Sequence, residues 1–182
     1  MEEMMEKEKL REGLKRLEAY AKQRELHSVF LEESSEVELD SLVFGLEREE
    51  GLSADISCNF VYAEEIGNML QFYGQLELDG LMEEKPDVFQ KEKILQLMNM
   101  LNKMAPVGQL LYMEKEQDGE NAIGIRYTML TDLGSDPELK KCVNVLQLLM
   151  DVYELLCSMI LLLADGESLE SAMKVIIELM DQ

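Results

Sequence analysis

Apolar residues recur along this chain with two different periods, and the changes of period mark its elements. Over residues 2–26 Leu10, Leu14 and Leu17 return at spacings of four and three while charges fill the other positions. That spacing predicts an amphipathic helix with a narrow apolar stripe, leaning on the rest of the fold. From 37 to 79 the character changes. "VELDSLVFGLE", "ADISCNFVYAE" and "NMLQFYGQLEL" are rich in β-branched and aromatic residues. They predict three strands, separated by "REEGLS" (48–53) and by Gly67-Asn68. "LEESSE" before them reads as a loop or an irregular edge, and "DGLMEEKPD" after them as a loop. Asp87, with Gln90 three residues on, is placed to cap a helix from Val88 to Ala105. Its buried stripe would be Phe89, Ile94, Leu97, Met98, Leu101 and Met104, and Pro106 stops it.

Residues 102–130 then form two apolar runs around Asp118-Gly119, a dipeptide that favours a two-residue primed turn. With that turn Glu114 faces Ile123, Tyr112 faces Ile125 and Leu110 faces Tyr127 on one side. Met113 faces Gly124, Leu111 faces Arg126 and Gln109 faces Thr128 on the other. The first set is mostly apolar and is expected to meet the helices. The second is half polar and is expected to meet water or a partner. "GSDPELKK" starts the next helix, with Asp136 as cap, Pro137 at the first position and Glu138 near the positive end. Val145, Leu148, Leu149, Val152, Leu155, Leu156, Met159, Ile160 and Leu163 give it a broad stripe as far as Ala164. Gly166 ends it, and Ser168 caps a last helix bearing Met173, Val175, Ile176, Leu179 and Met180.

The expected order is therefore α-β-β-β-α-β-β-α-α. It implies an α+β fold with an antiparallel or mixed five-stranded sheet and helices packed on one face. At 182 residues without repeats or linkers, residues 1–182 are expected to form a single domain, with 1–26 a charged helix leaning on a core of residues 37–178.

Composition narrows the function classes. Net charge is −21 and uneven: residues 1–26 balance to zero, 27–85 sum to −13 and 86–182 to −8. Such a chain repels nucleic-acid phosphates and anionic lipid, so neither is an expected partner. It attracts a basic partner at long range. The 14 methionines are core filler or an adaptable binding surface. Cys58, Cys142 and Cys157 are odd in number and lack pairing or CxxC spacing. They read as small apolar residues in a reducing cytoplasm. Charge throughout residues 1–20 gives no sign of a signal peptide, and the uncharged run "LLCSMILLLA" is too short to span a bilayer.

Catalytic chemistry has little to work with. His27 is the only histidine and stands beside no Cys or Ser motif. There is no Gly-rich phosphate loop. "QDGEN" (117–121) offers oxygen ligands but lacks the spaced acids of a calcium loop, and a hairpin turn explains it more simply. "EREE" and "MEEK" read as solvated loops. Glu64-Glu65 would point to opposite faces of a strand. Asn99 and Asn102 are expected to bond neighbouring backbone or a sheet edge. Arg126 is expected either to pair with a nearby carboxylate across strands or to meet a partner's carboxylate.

"MLQFYGQLEL", "ILQLMNMLNKMAPVGQLLYM", "IGIRYTML", "LLMDVYELLCSMI" and "DGESLESAM", in this order over residues 69–178, resemble the YbjN-like bacterial proteins. Those carry the label of sensory transduction regulators. The resemblance implies a fold like that of the type III secretion chaperones, which are small, acidic, usually dimeric proteins that bind other polypeptides. It brings no catalytic motif. The charged N-terminal helix and the helix after Ser168 depart from it.

The expected function is a non-enzymatic cytoplasmic polypeptide-binding protein, chaperone-like or regulatory, acting as a homodimer without cofactor or metal. Leu111, Met113, Arg126 and Thr128 are its candidate contact face. The alternative is a carboxylate- or metal-dependent hydrolase with no recognised motif.

Overall fold

A computed structural model describes residues 2–35, 37–46, 54–114 and 121–180. In chain order the elements are α1 (Glu2–Lys22), β1 (Ser28–Leu31), β2 (Ser41–Leu46), β3 (Ala54–Ala63), β4 (Gly67–Glu77), α2 (Asp79–Glu84), α3 (Lys91–Met104), β5 (Gln109–Met113), β6 (Ala122–Met129), α4 (Asp136–Ala164) and α5 (Leu169–Met180). The fold is α+β. Among the described residues its sheet has six strands in the order β1-β2-β3-β4-β6-β5, and every neighbouring pair is antiparallel.

The sixth strand is β1, which lies just before the segment expected to be a loop. "SVFL" alternates but is only four residues long and pairs on one side only, with β2. So short a run gives weak periodicity. α2 was likewise expected as loop; its single turn and a half buries no residue and leaves no stripe to read.

Strand alternation sets the two faces of the sheet. Leu42, Phe44, Ile56, Cys58, Phe60, Leu70, Phe72, Leu76, Leu110, Ile123, Ile125 and Met129 point to one side. They merge there with Leu14 and Leu17 of α1, Ile94, Leu97, Met98 and Leu101 of α3, and the long inner side of α4 in one apolar cluster. Burial of this kind stabilises by about 25 cal/mol per Å² of apolar surface. α4 is the central helix. Beyond the expected stripe it buries Leu139, Cys142, Val143, Leu146, Tyr153 and Cys157, whereas Leu148 stays 36% exposed. By length and composition α4 would also suit a bilayer, but here half of its most apolar stretch is buried inside the fold. On α5, Ala172 and Met173 are buried, but Val175, expected in the stripe, is exposed.

The helix ends differ in detail from their expected caps. Gln90, not Asp87, precedes α3, and its side chain makes no capping bond. Residues 85–88 instead close a turn, Val88 N–H donating to Lys85 C=O. Ser135, not Asp136, is the cap residue of α4, which leaves Asp136 and Pro137 in the first turn. Glu138 then accepts from the Gly134 N–H at 3.1 Å and from Ser135 Oγ at 3.4 Å, a variant of the capping box. Gly166 ends α4 as expected: at φ +95° its N–H reaches Leu163 C=O while Glu167 N–H reaches Leu162 C=O. Ser168 caps α5 as expected, its Oγ accepting from Ser171 N–H at 3.1 Å. α1 stops at Lys22, four residues early, where the chain turns through Glu25 at φ 62°.

Candidate functional site: the open face of the sheet

The second side of the sheet follows from the same alternation. Paired residues share a face, so one row runs Val29, Val43, Ser57, Tyr73, Arg126, Gln109 across all six strands. The next row toward the end of β4 runs Gly45, Asp55, Gln75, Gly124, Leu111. Leu31, Ser41, Asn59, Gln71 and Thr128 form the row on the other side. Val29, Val43, Val61, Met69, Tyr73, Leu111 and Met113 lie on this face, and none of them belongs to the core cluster or packs against it. Among the described residues no helix covers this face; the helices pack on the core side.

The four residues singled out from sequence all lie here. Met113 and Leu111 are half-buried, and Arg126 and Thr128 are exposed. Their pairing differs from the expected one. Gln109 faces Arg126, Leu111 faces Gly124, Tyr112 faces Ile123 and Met113 faces Ala122. This register slips by two residues from a two-residue turn at Asp118-Gly119, and the turn itself lies outside the described residues. A slip of one residue would exchange the faces; a slip of two preserves them. The core set Leu110, Tyr112, Ile123 and Ile125 therefore still points inward.

Tyr73 organises the centre of the face. Its hydroxyl donates to Gln75 Oε1 at 2.9 Å and lies 3.3 Å from Met113 Sδ. A Cβ built on Gly124 would meet Met113 Cε at 3.3 Å and the Tyr73 ring at 3.6 Å, so the absent side chain is the floor on which both lie. Burial pushes the Tyr73 phenol above its ordinary value, and the charge of Arg126 partly offsets this. Ser57 Oγ donates to Tyr73 C=O at 3.0 Å, whereas Asn59 Oδ1 is buried without a hydrogen-bond partner. Arg126 forms no hydrogen bond or ion pair with another described residue. The cross-strand carboxylate expected as its structural partner is therefore not among them: its neighbours are Tyr73 and Gln109.

Tyr73, Val43, Met69 and Asp55 were not among the sequence candidates. The signal was present in "NMLQFYGQLEL": once Leu70, Phe72 and Leu76 face the core, Met69, Gln71, Tyr73 and Gln75 must face away.

The other candidate chemistry is dispersed. His27 is exposed. All three thiols are buried; burial pushes Cys142 up to about 12 and Cys58 well above its ordinary value, which disfavours the reactive thiolate. Glu64 and Glu65 sit exposed in the turn between β3 and β4, not within a strand as expected. Residues 47–50 and 117–120 lie outside the described residues. Asn121 is described: its side-chain amide donates to Asp79 Oδ1 at 2.7 Å and its Oδ1 accepts from Tyr112 OH at 3.1 Å, which ties β6 to α2. Glu83 and Glu84 are exposed, while Lys85 bonds the Ala164 carbonyl. Among the described residues no three His, Cys, Asp or Glu side chains converge as metal ligands would. A small apolar cleft of about 160 Å³ lies between α3 and α4, lined by Leu101, Met104, Leu148 and Leu155 with Asp151 at its rim.

No family model and no curated protein matches the chain. Among solved structures it is similar to the crystal structure of YbjN from E. coli, described as a candidate transcription regulator. That likeness covers 76% of this chain and 87% of that one at 11% identity, with a TM-score of 0.42. It is a likeness of shape, and neither membership of a YbjN-like family nor a secretion-chaperone architecture follows from it.

Proposed function

We propose that this chain is a non-enzymatic, cytoplasmic polypeptide-binding protein, chaperone-like or regulatory, that acts as a homodimer. One observation carries the reading: among the described residues a six-stranded sheet is covered by helices on one side, and on the other Val43, Met69, Tyr73, Leu111 and Met113 are half-buried with no helix over them. An uncovered apolar patch of this extent marks a contact surface more often than an inert one. Its chemistry suits a polypeptide. Its apolar groups are interleaved with Ser57, Gln71, Gln75 and Thr128, and Arg126 supplies a cation for a carboxylate or chain end.

The test is a titration of labelled peptides of acidic, basic and apolar composition, followed by fluorescence anisotropy. Saturable binding is expected for at least one class. Met113→Glu should weaken it by about tenfold or more, equivalent to about 1.4 kcal/mol, without moving the thermal unfolding transition. If no peptide binds and the chain does not self-associate, the reading fails.

A further inference from the structure

Among the described strand residues, three charged ones stand on the open face: Asp55 on β3, Glu77 on β4 and Arg126 on β6. They sum to −1, against −21 for the whole chain. The rest of the molecule repels a second copy of itself, whereas this face barely does.

Asp55 and Arg126 are arranged about β4. Arg126 lies opposite Tyr73, Tyr73 lies opposite Ser57, and Asp55 is two residues before Ser57. They are thus two strands and two residues apart. At about 4.8 Å between strands and 3.4 Å per residue they are separated by about 12 Å, too far to pair within one chain. Both are exposed, and neither has a hydrogen bond or ion pair with another described residue. The Asp55 carboxylate lies over Gly45, where an added Cβ would be 3.4 Å from its Oδ1, so nothing on β2 lifts above it.

A twofold axis in the plane of contact, passing over Gly74 at right angles to the line joining the two residues, exchanges their positions. It sets Arg126 of each copy over Asp55 of the other, twice, as an isologous interface requires. Tyr73 and Gln75, on either side of Gly74, then meet their own counterparts near the axis, with Leu111, Met113, Val43 and Met69 around them. The face measures about 24 Å across six strands and about 27 Å along eight residues of the central ones. That is about 650 Å², close to the roughly 800 Å² per partner of a stable interface.

We infer that the open face is the self-association surface of this protein: two copies stack sheet against sheet, Arg126 of each pairing with Asp55 of the other. The inference rests on reading this face as a polypeptide contact, and it names the polypeptide as a second copy.

Sedimentation equilibrium of the full chain over a range of concentrations tests it. Wild type is expected to dimerise. Arg126→Glu and Asp55→Lys should each weaken the dimer by about tenfold or more, because each sets like charges together. The double variant should recover wild-type affinity. Circular dichroism melts at dilutions where wild type and variants are all monomeric should coincide, since both side chains are exposed. A dimer indifferent to both substitutions, or single defects that add instead of cancelling, would overturn the pairing. A chain that stays monomeric but binds peptides in a Met113-dependent way would overturn self-association and leave the polypeptide reading intact. A monomer that binds no peptide would end both.

Discussion

Gly108 turns the chain from α3 into β5 at φ +79°, and a Cβ there would lie 2.5 Å from Leu149 Cδ2 on α4. Two costs therefore add in Gly108→Ala. The left-handed backbone costs about 1–2 kcal/mol for a residue with a Cβ, and overpacking against α4 costs about 1–3 kcal/mol more. Urea denaturation should show a loss in the range of their sum, and a loss below about 1 kcal/mol would mean that α4 does not press on this turn. Asn102 works beside it: its Oδ1 accepts from Leu110 N–H at 2.8 Å and its Nδ2 donates to Leu110 C=O at 3.1 Å, so the side chain stands in for a strand. Asn102 was expected to bond neighbouring backbone or a sheet edge, and its bonds to Leu110 on β5 agree. Asp40 gives a pH dependence. Burial opposes its ionisation, but the Arg11 guanidinium at 2.9 and 3.0 Å and the Glu33 N–H outweigh it and hold Asp40 below the usual carboxylate range. Its ionised form thus contributes stability in full above the unfolded carboxylate pKa of about 4, and loses it as pH falls from there through the lower folded value. Asp40→Asn should flatten the acid side of the stability profile, measured as urea midpoints from neutral pH downward; an unchanged acid slope would place Asp40 outside the linkage.

Among the elements, long periodic ones were legible and short ones were not. α4 could be read from Pro137, Glu138 and Gly166 because backbone chemistry at helix ends is local. Its inner side was read too narrowly, since a helix wedged between a sheet and two other helices buries more than one stripe. Leu146 lay outside the expected stripe and is 1% exposed, whereas Leu148 lay inside it and is 36% exposed. Leu146→Ala should accordingly cost about 2–5 kcal/mol and Leu148→Ala less than about 1 kcal/mol, by chemical denaturation. Equal losses would mean that α4 is rotated from the position described. Nothing periodic marks β1 or α2 in the sequence, because four to six residues cannot establish a period. The β5–β6 register escaped because Asp118-Gly119 suggested a tight turn, while the strands end at Met113 and Ala122. The face assignment survived because the slip was even.

For the whole molecule, the fourteen methionines are mostly structural. Met98, Met129, Met159 and Met173 are buried and Met82, Met100, Met104 and Met150 pack on the core, whereas Met69 and Met113 lie on the open face and Met5 is exposed on α1. The acidic charge surrounds that face more than it occupies it. Native thiols should be silent: Cys58, Cys142 and Cys157 are buried, so a thiol reagent should titrate all three only after denaturation, and fast reaction in the native protein would contradict the core described. Sequence reading reached the two-sided sheet through alternation in the hairpin alone; the extent of the open face required the pairing of β1 through β4, which no local pattern encodes. The central claim is that one side of the sheet has no cover of its own. Hydroxyl-radical footprinting of the dilute monomer, read by mass spectrometry, tests it most directly. Met69, Met113 and Tyr73 should oxidise readily while Met129, Met159 and Tyr153 stay protected; protection of Met113 and Tyr73 equal to that of Met129 at every dilution would contradict it.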